Sequence, residues 1–198
     1  MLAPLLTERL SLREFVDSDF DALREIEADP EGLRYRSRAE ITPAQTSEFL
    51  VQAQVQAAEV PRQQYALAVV LRPEQRLLGQ VGLTIVNSKY DEAFLWYAIH
   101  RSFWGQGCAT EAAARLVRFG FEAAGLRRIF AECHPDNKAS ARVLEKIGMT
   151  AEAVAEASRL RYGLARENLG ARRATENEGR TPRTDGGQVT DDEGRHLI

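Results

Sequence analysis

Cysteine is nearly missing from this chain. Only Cys108 and Cys133 occur in 198 residues, in neither a Cys-x-x-Cys pair nor a Cys/His zinc spacing. A disulfide scaffold and a thiolate zinc site are thereby excluded, and a reduced, cytoplasmic protein without a bound metal is expected. Long apolar runs are absent too: none approaches the ~20 residues of a spanning helix. The opening MLAPLLTERL has no basic segment, and its apolar stretch is too short for a signal peptide, so no membrane partner is expected. Positive charge is not in excess either. A formal net charge of −3 argues against nucleic acid as the main partner. What is present, 44% hydrophobic and 28% charged residues, is ordinary for a globular protein, and the length favours one domain with its own core.

The periodicity changes along the chain in an informative order. Leu10 and Leu12 alternate with Arg9, Ser11 and Arg13 as a short half-buried strand. Asp17 or Ser18 is expected to cap a helix with Phe20, Leu23 and Ile26 on its apolar face, stopped by Pro30. The arginine-rich stretch from Glu31 to Ile41 has no clear period. Thr42-Pro43-Ala44-Gln45 is a capping box with proline at the first helical position, opening a helix to about Glu59. Three strands follow, 64–71, 77–86 and 93–100, with short connections that predict an antiparallel meander. A helix over 109–124, with Ala113, Leu116, Phe119, Gly120 and Ala124 on one face, ends at Gly125. The strand 127–134 follows, and Asn137 caps a last helix carrying Val143, Leu144 and Ile147. A crossover of that length makes strands 93–100 and 127–134 parallel and right-handed. Beyond about Asn168, large apolar residues give way to Gly, Thr, Arg, Asp and Glu. The expected organisation is a domain over 1–169 and a disordered tail over 170–198.

The loop FWGQGCATEA, 103–112, sits between a strand and the N-terminus of a helix. Free N–H groups and the helix dipole make such a place an anion site, and glycines clear side chains from the approach. Neither the dinucleotide fingerprint Gly-x-Gly-x-x-Gly nor a Gly-Lys-Ser/Thr motif is present, so the loop suits a pyrophosphate outside those two folds.

The surrounding pattern is more specific. A meander strand ending in His100, the loop Trp104-Gly105-Gln106-Gly107-Cys108-Ala109-Thr110-Glu111-Ala112 and a strand leading into HPDNKASARVLEKIGM occur in order. With LTERLSLREF near the start, this resembles the GNAT superfamily of acyl-CoA-dependent N-acyltransferases, and within it the ribosomal-protein N-terminal (alanine) acetyltransferase branch. The likeness runs over about residues 5–150. It implies an α+β fold: a mixed, mostly antiparallel sheet flanked by helices, with a V-shaped splay between the two parallel central strands. It also implies that acetyl-CoA is the co-substrate, its pyrophosphate held by the backbone amides of Gln106, Gly107, Cys108, Ala109 and Thr110. The pantetheine arm pairs with the strand edge around Ala98, Ile99 and His100, and Asn137 contacts the cofactor. Ser140 is placed to protonate the leaving thiolate. Bland alternatives stand beside these roles: Asn137 as a helix cap alone, Ser140 as a small residue in a first turn, His134 as a loop residue. Cys133, near the expected thioester, has no activating partner for a covalent route.

Two departures bear on the acceptor. Where many relatives read Ala-Glu-Leu-Gly-Tyr, this chain has Ala93-Phe94-Leu95-Trp96-Tyr97, so a potential glutamate base is phenylalanine. The C-terminal hairpin is also shortened by around ten residues, with RYGLAREN resembling the last strand. A free α-amine, pKa about 7.8, is roughly 10–20% neutral at pH 7, whereas a lysine is neutral about 0.04% of the time. An α-amine tolerates the missing base, and direct attack by a protein or peptide N-terminus is the favoured reaction. A small-molecule amine (amino acid, polyamine or antibiotic) and a non-catalytic acyl-CoA-binding module are the alternatives. A monomer or homodimer is expected.

Overall fold

The computed structural model describes residues 2–35, 41–87, 89, 91–153 and 158–169. The expected tail, 170–198, lies outside the described residues. The chain opens with strands β1 (Leu5–Leu6) and β2 (Leu10–Arg13), then helix α1 (Phe20–Ala28). Neither Asp17 nor Ser18 caps that helix. The carboxylate of Asp19 instead accepts the Val16 N–H at 2.9 Å and grips Arg13 through two bonds of 2.7 and 2.8 Å. The residues expected to cap therefore form a 3₁₀ turn, Asp17–Asp19, ahead of α1. Pro30 stops α1 and also begins a single turn, α2 (Pro30–Leu33), where Asp29 accepts the Glu31 N–H. Helix α3 (Pro43–Ala57) starts with the reciprocal Thr42/Gln45 box, its two bonds 3.3 and 2.8 Å long.

Strands β3 (Gln64–Leu71), β4 (Arg76–Asn87) and β5 (Glu92–Ile99) form the antiparallel meander, followed by α4 (Cys108–Glu122) and β6 (Arg128–Cys133). Helix α5 (Lys138–Lys146), β7 (Thr150–Glu152) and β8 (Leu160–Ala165) complete the described elements. The sheet order is β1-β2-β3-β4-β5-β6-β8-β7, and β5–β6 is the parallel pair. The short hairpin has a physical reading: β8 pairs with β6 over six positions, Arg128↔Ala165 to Cys133↔Leu160, while β7 contributes only three.

Alternation along the strands gives the sheet two apolar faces. Leu10, Leu12, Val81, Leu83, Leu95 and Ile129 pack under α4 and α5, against Leu116, Val117, Phe121 and Leu144. On the opposite face Ala66, Ala68 and Val70 meet Leu23 and Ile26 of α1 and Leu50 and Ala53 of α3. The feature that matters for function is a shortage of pairing. Strands β5 and β6 are in register only at Glu92/Arg128, Ala93/Ile129 and Phe94/Phe130. From Leu95 and Ala131 onward they part, and this is the expected splay.

Candidate functional site

The glycine loop lies where β5 hands over to α4. His100 opens a 3₁₀ turn, Arg101–Phe103, its Nδ1 accepting the Ser102 N–H at 3.2 Å. The Trp104 indole N–H donates to the Ile99 carbonyl at 2.6 Å, and the Gln106 side-chain amide donates to the Ser102 carbonyl at 2.8 Å. These bonds fold the loop back on the strand end. Gly105 and Gly107 have φ of +75° and +81°, a conformation that favours glycine. A Cβ at Gly105 would meet nothing within 4 Å, and one at Gly107 only Arg9 Nη2 at 3.5 Å. The loop is thus an open cradle. Gly107 is the N-cap of α4, and the first intrahelical bond is Glu111 N–H to the Gly107 carbonyl at 3.0 Å. The amides of Cys108, Ala109 and Thr110 precede it and have no acceptor within the helix. The Cys108 side chain itself is buried, so its backbone is what the cradle offers.

A brace holds that cradle, and sequence reading missed it. Glu111 accepts the Thr7 hydroxyl at 2.6 Å, the Arg9 backbone N–H at 3.1 Å and Arg9 Nε at 2.8 Å. Arg9 Nη1 continues to the Gln106 carbonyl at 3.1 Å. The β1–β2 turn is therefore clasped to the helix that carries the loop. Burial pushes the Glu111 carboxyl up, but the bonds from Thr7 and Arg9 outweigh it and hold the group below its usual range. Glu111 in turn raises the Arg9 guanidinium.

On the strand edge, the expectation for Ala98, Ile99 and His100 needs correction. The His100 N–H already donates to the Leu78 carbonyl at 2.8 Å. Main-chain groups alternate sides along an antiparallel ladder, so Ala98, opposite Gln80, also faces β4. Of the three, only Ile99 presents its main chain to the opening, with Tyr97 beside it, and the Ile99 carbonyl is already engaged by Trp104. The usable edge is Tyr97 and the Ile99 N–H.

Across the opening stands α5. Asn137 caps it, its Oδ1 accepting the Ser140 N–H at 3.0 Å. Ser140 lies in the first turn, half-buried, and its carbonyl accepts the Tyr97 hydroxyl at 3.3 Å. Burial pushes the Tyr97 phenol up to about 12. Cys133, at the end of β6, is buried and its thiol is pushed up by that burial, which makes it a poor nucleophile. His134 is a loop residue, its Nδ1 accepting the Asp136 N–H. The ring centroids of Phe94 and Phe130 lie 5.4 Å apart. Trp96 lies across Gly82, where any Cβ would overlap its ring, and its indole N–H reaches the Thr84 hydroxyl at 3.1 Å.

Among the described residues, cavities lie at both ends of the β5–β6 seam. One of about 870 Å³ sits at the paired end of β5 and β6, lined by Glu92, Arg127, Arg128, Ala165, Arg166 and Glu167, far from the glycine loop. The other, about 310 Å³, adjoins the open edge of β5 on the α1/α3 face and includes Glu27, Gln80, Phe49, Trp96 and Ala98.

With this geometry in view, the comparisons are decisive. The family model for the acetyltransferase (GNAT) domain matches residues 9–150. The chain belongs to the GNAT acetyltransferase family. Such GNAT proteins transfer acetyl groups with acetyl-CoA as co-substrate, so this chain is an acetyltransferase. It is 30% identical over 154 residues to the Bacillus subtilis (strain 168) chain named "Uncharacterized N-acetyltransferase YoaA", covering 78% of this chain and 86% of that one. Among solved structures, the ribosomal-protein-S5-alanine acetyltransferase of Vibrio fischeri is similar at a TM-score of 0.71 and 20% identity, over 85% of this chain and 99% of that one. The spermidine N-acetyltransferase of Vibrio cholerae, in complex with CoA and spermine, gives 0.70 and 15%, over 82% and 98%. At these identities the two structures share the fold with this GNAT chain. Their acceptors are their own.

Proposed function

We propose that this GNAT enzyme moves the acetyl group of acetyl-CoA to the α-amine of a protein or peptide N-terminus, by direct attack in a ternary complex. The cradle carries the cofactor half of this reading. Left-handed glycines, open space above them and the amides of Gln106 to Thr110 fit a pyrophosphate, which gains charge-assisted bonds from backbone donors and the helix dipole. When bound, acetyl-CoA supplies the activated acetyl thioester. The chain's own residues position and protonate in this reading: Tyr97 and Ile99 offer the strand edge, Asn137 orders the first turn of α5, and the Ser140 hydroxyl would give a proton to the leaving sulfur.

The observation that supports an α-amine is the character of β5 at the opening. Phe94 packs on Phe130, so β5 brings an aromatic ring and no carboxylate at this position. An acceptor that is already partly neutral needs less help: the gap between an α-amine and a lysine corresponds to about 3.5 kcal/mol of deprotonation work. A polyamine is the second reading, in keeping with the shared fold of the spermidine enzyme. Release of free thiol from acetyl-CoA, followed with peptides of free N-terminus, their N-acetylated twins and spermidine, tests the proposal. Turnover with free-amine peptides and none with the blocked ones is expected. Turnover with spermidine alone would overturn the α-amine reading.

A further inference from the structure

Among the described residues, Glu27 is a buried carboxylate without a cation. It is 4% exposed, accepts the Thr46 hydroxyl at 2.6 Å and the Gln80 side-chain amide at 3.4 Å, and among the described residues no Lys, Arg or His pairs with it. An ionised carboxylate removed from water is costly unless paired. Two neutral donors satisfy part of its hydrogen-bonding capacity and bring no counter-charge.

Gln80 repeats the incompleteness. Also buried, at 5% exposure, it turns its amide nitrogen to Glu27 and leaves its Oε1 with no partner. Its orientation is dictated by the neighbour, because the flipped amide would face two acceptors together. A carboxylate and an amide oxygen thus lie side by side, both short of a donor. Both line the cavity of about 310 Å³ against Tyr97 and Ala98 of β5, with Phe49 and Trp96 as an apolar wall. Tyr97 belongs to the strand edge assigned above to the thioester arm. The cavity opens from the other face of the sheet, the side left free by α4 and α5.

We infer that this cavity seats the acceptor: Glu27 and the Gln80 Oε1 receive a primary ammonium group, and the Phe49/Trp96 wall takes the carbon skeleton next to it. An ammonium has three donors and one charge, which supplies what both residues lack. An acceptor with its nitrogen blocked would leave the carboxylate buried and unpaired, so Glu27 is a specificity-determining residue; the seated ammonium gives up one proton, to Glu27 or to water, before its nitrogen attacks the thioester. The assignment rests on amine acetylation as proposed above.

Glu27→Gln is the test variant, since it keeps an acceptor for the Thr46 hydroxyl and offers a new N–H to the Gln80 Oε1. It is expected to fold, with a melting temperature at or above that of the parent. Calorimetric titrations use CoA-saturated protein, with a short peptide beginning in alanine, the same peptide N-acetylated, and spermidine. The parent should bind at least one free-amine probe about tenfold or more tightly than the blocked peptide, and Glu27→Gln should lose that preference while its CoA affinity stays unchanged. In turnover, KM for the amine should rise by a similar factor. Preference retained in Glu27→Gln, or no preference in the parent, overturns the inference. Acetyl transfer with unchanged KM in the variant sinks the role of Glu27 and leaves the proposed reaction standing. Amine preference lost in the variant, with no acetyl transfer by the parent, supports Glu27 and sinks the reaction.

Discussion

The Tyr97 hydroxyl donates to the Ser140 carbonyl at 3.3 Å, a bond between the open edge of β5 and the first turn of α5. With its phenol pushed up to about 12 by burial, Tyr97 stays protonated at every pH an assay would use. It ties the two walls of the opening together as a donor and does not serve as a base. Ser140 is held by its main chain on both sides, since its N–H goes to Asn137. Among the described residues its hydroxyl has no hydrogen-bond partner.

Ser140→Ala should therefore lower kcat by at least about tenfold while CoA affinity stays nearly intact, because a thiolate leaving without a proton is unfavourable near neutral pH. Ser140→Cys keeps a weak donor of similar size and should recover part of the rate. Both are read from kcat and the CoA Kd. An unchanged kcat in Ser140→Ala would leave the serine as a packing residue and pass the proton-donor role to water.

Gly107→Val strikes the cradle twice. Valine at φ +81° is strained, and its branches enter the space a phosphate oxygen needs. CoA binding should weaken by about 2 kcal/mol or more, as expected for losing charge-assisted bonds. Gly105→Ala is the comparison: similar φ, open space around its Cβ, and so a smaller loss. Calorimetry with CoA on both variants decides, and a folded Gly107→Val that binds like the parent would end the phosphate assignment.

Much of this was legible in the sequence, because periodicity and capping are local. The Thr42/Gln45 box, the meander and the Asn137 cap all depend on residues a few positions apart. The α1 cap failed for the same reason in reverse: Asp19 is recruited by Arg13, and Asp17 and Ser18 are left without a capping role. Site residues that act across the fold were not visible. Arg9 and Glu111 are about a hundred positions apart, and Glu111 reads as an ordinary acid in a first helical turn. Glu27 reads as the polar side of α1, until α3 and β4 cover it with Thr46 and Gln80. A motif match carries no information on which way alternate amides point, and those of Ala98 and His100 point at β4.

The brace makes acid sensitivity predictable. Glu111 has its folded pKa depressed, so its contribution is present above the ordinary carboxylate value and fades as pH falls through the lower folded value. Glu111→Ala should cost about 1–3 kcal/mol at neutral pH, in line with lost hydrogen bonds to a charged group, and flatten the acid limb of the stability curve. Chemical denaturation of parent and variant between pH 7 and the acid limit measures both. The variant's CoA affinity should fall as well, since Arg9 loses the anchor that points it at the Gln106 carbonyl.

The three-rung register of β5 and β6 makes the middle of this sheet behave like a border. The amides of Tyr97 and Ile99 belong to a central strand, yet β6 provides them no acceptor. In deuterated solvent they should exchange on the timescale of solvent-facing groups, while their neighbours Ala98 and His100 stay protected by β4. An alternating fast–slow pattern along one central strand is a label-free signature of the splay. Its collapse into uniform protection would report, residue by residue, that the gap has been filled.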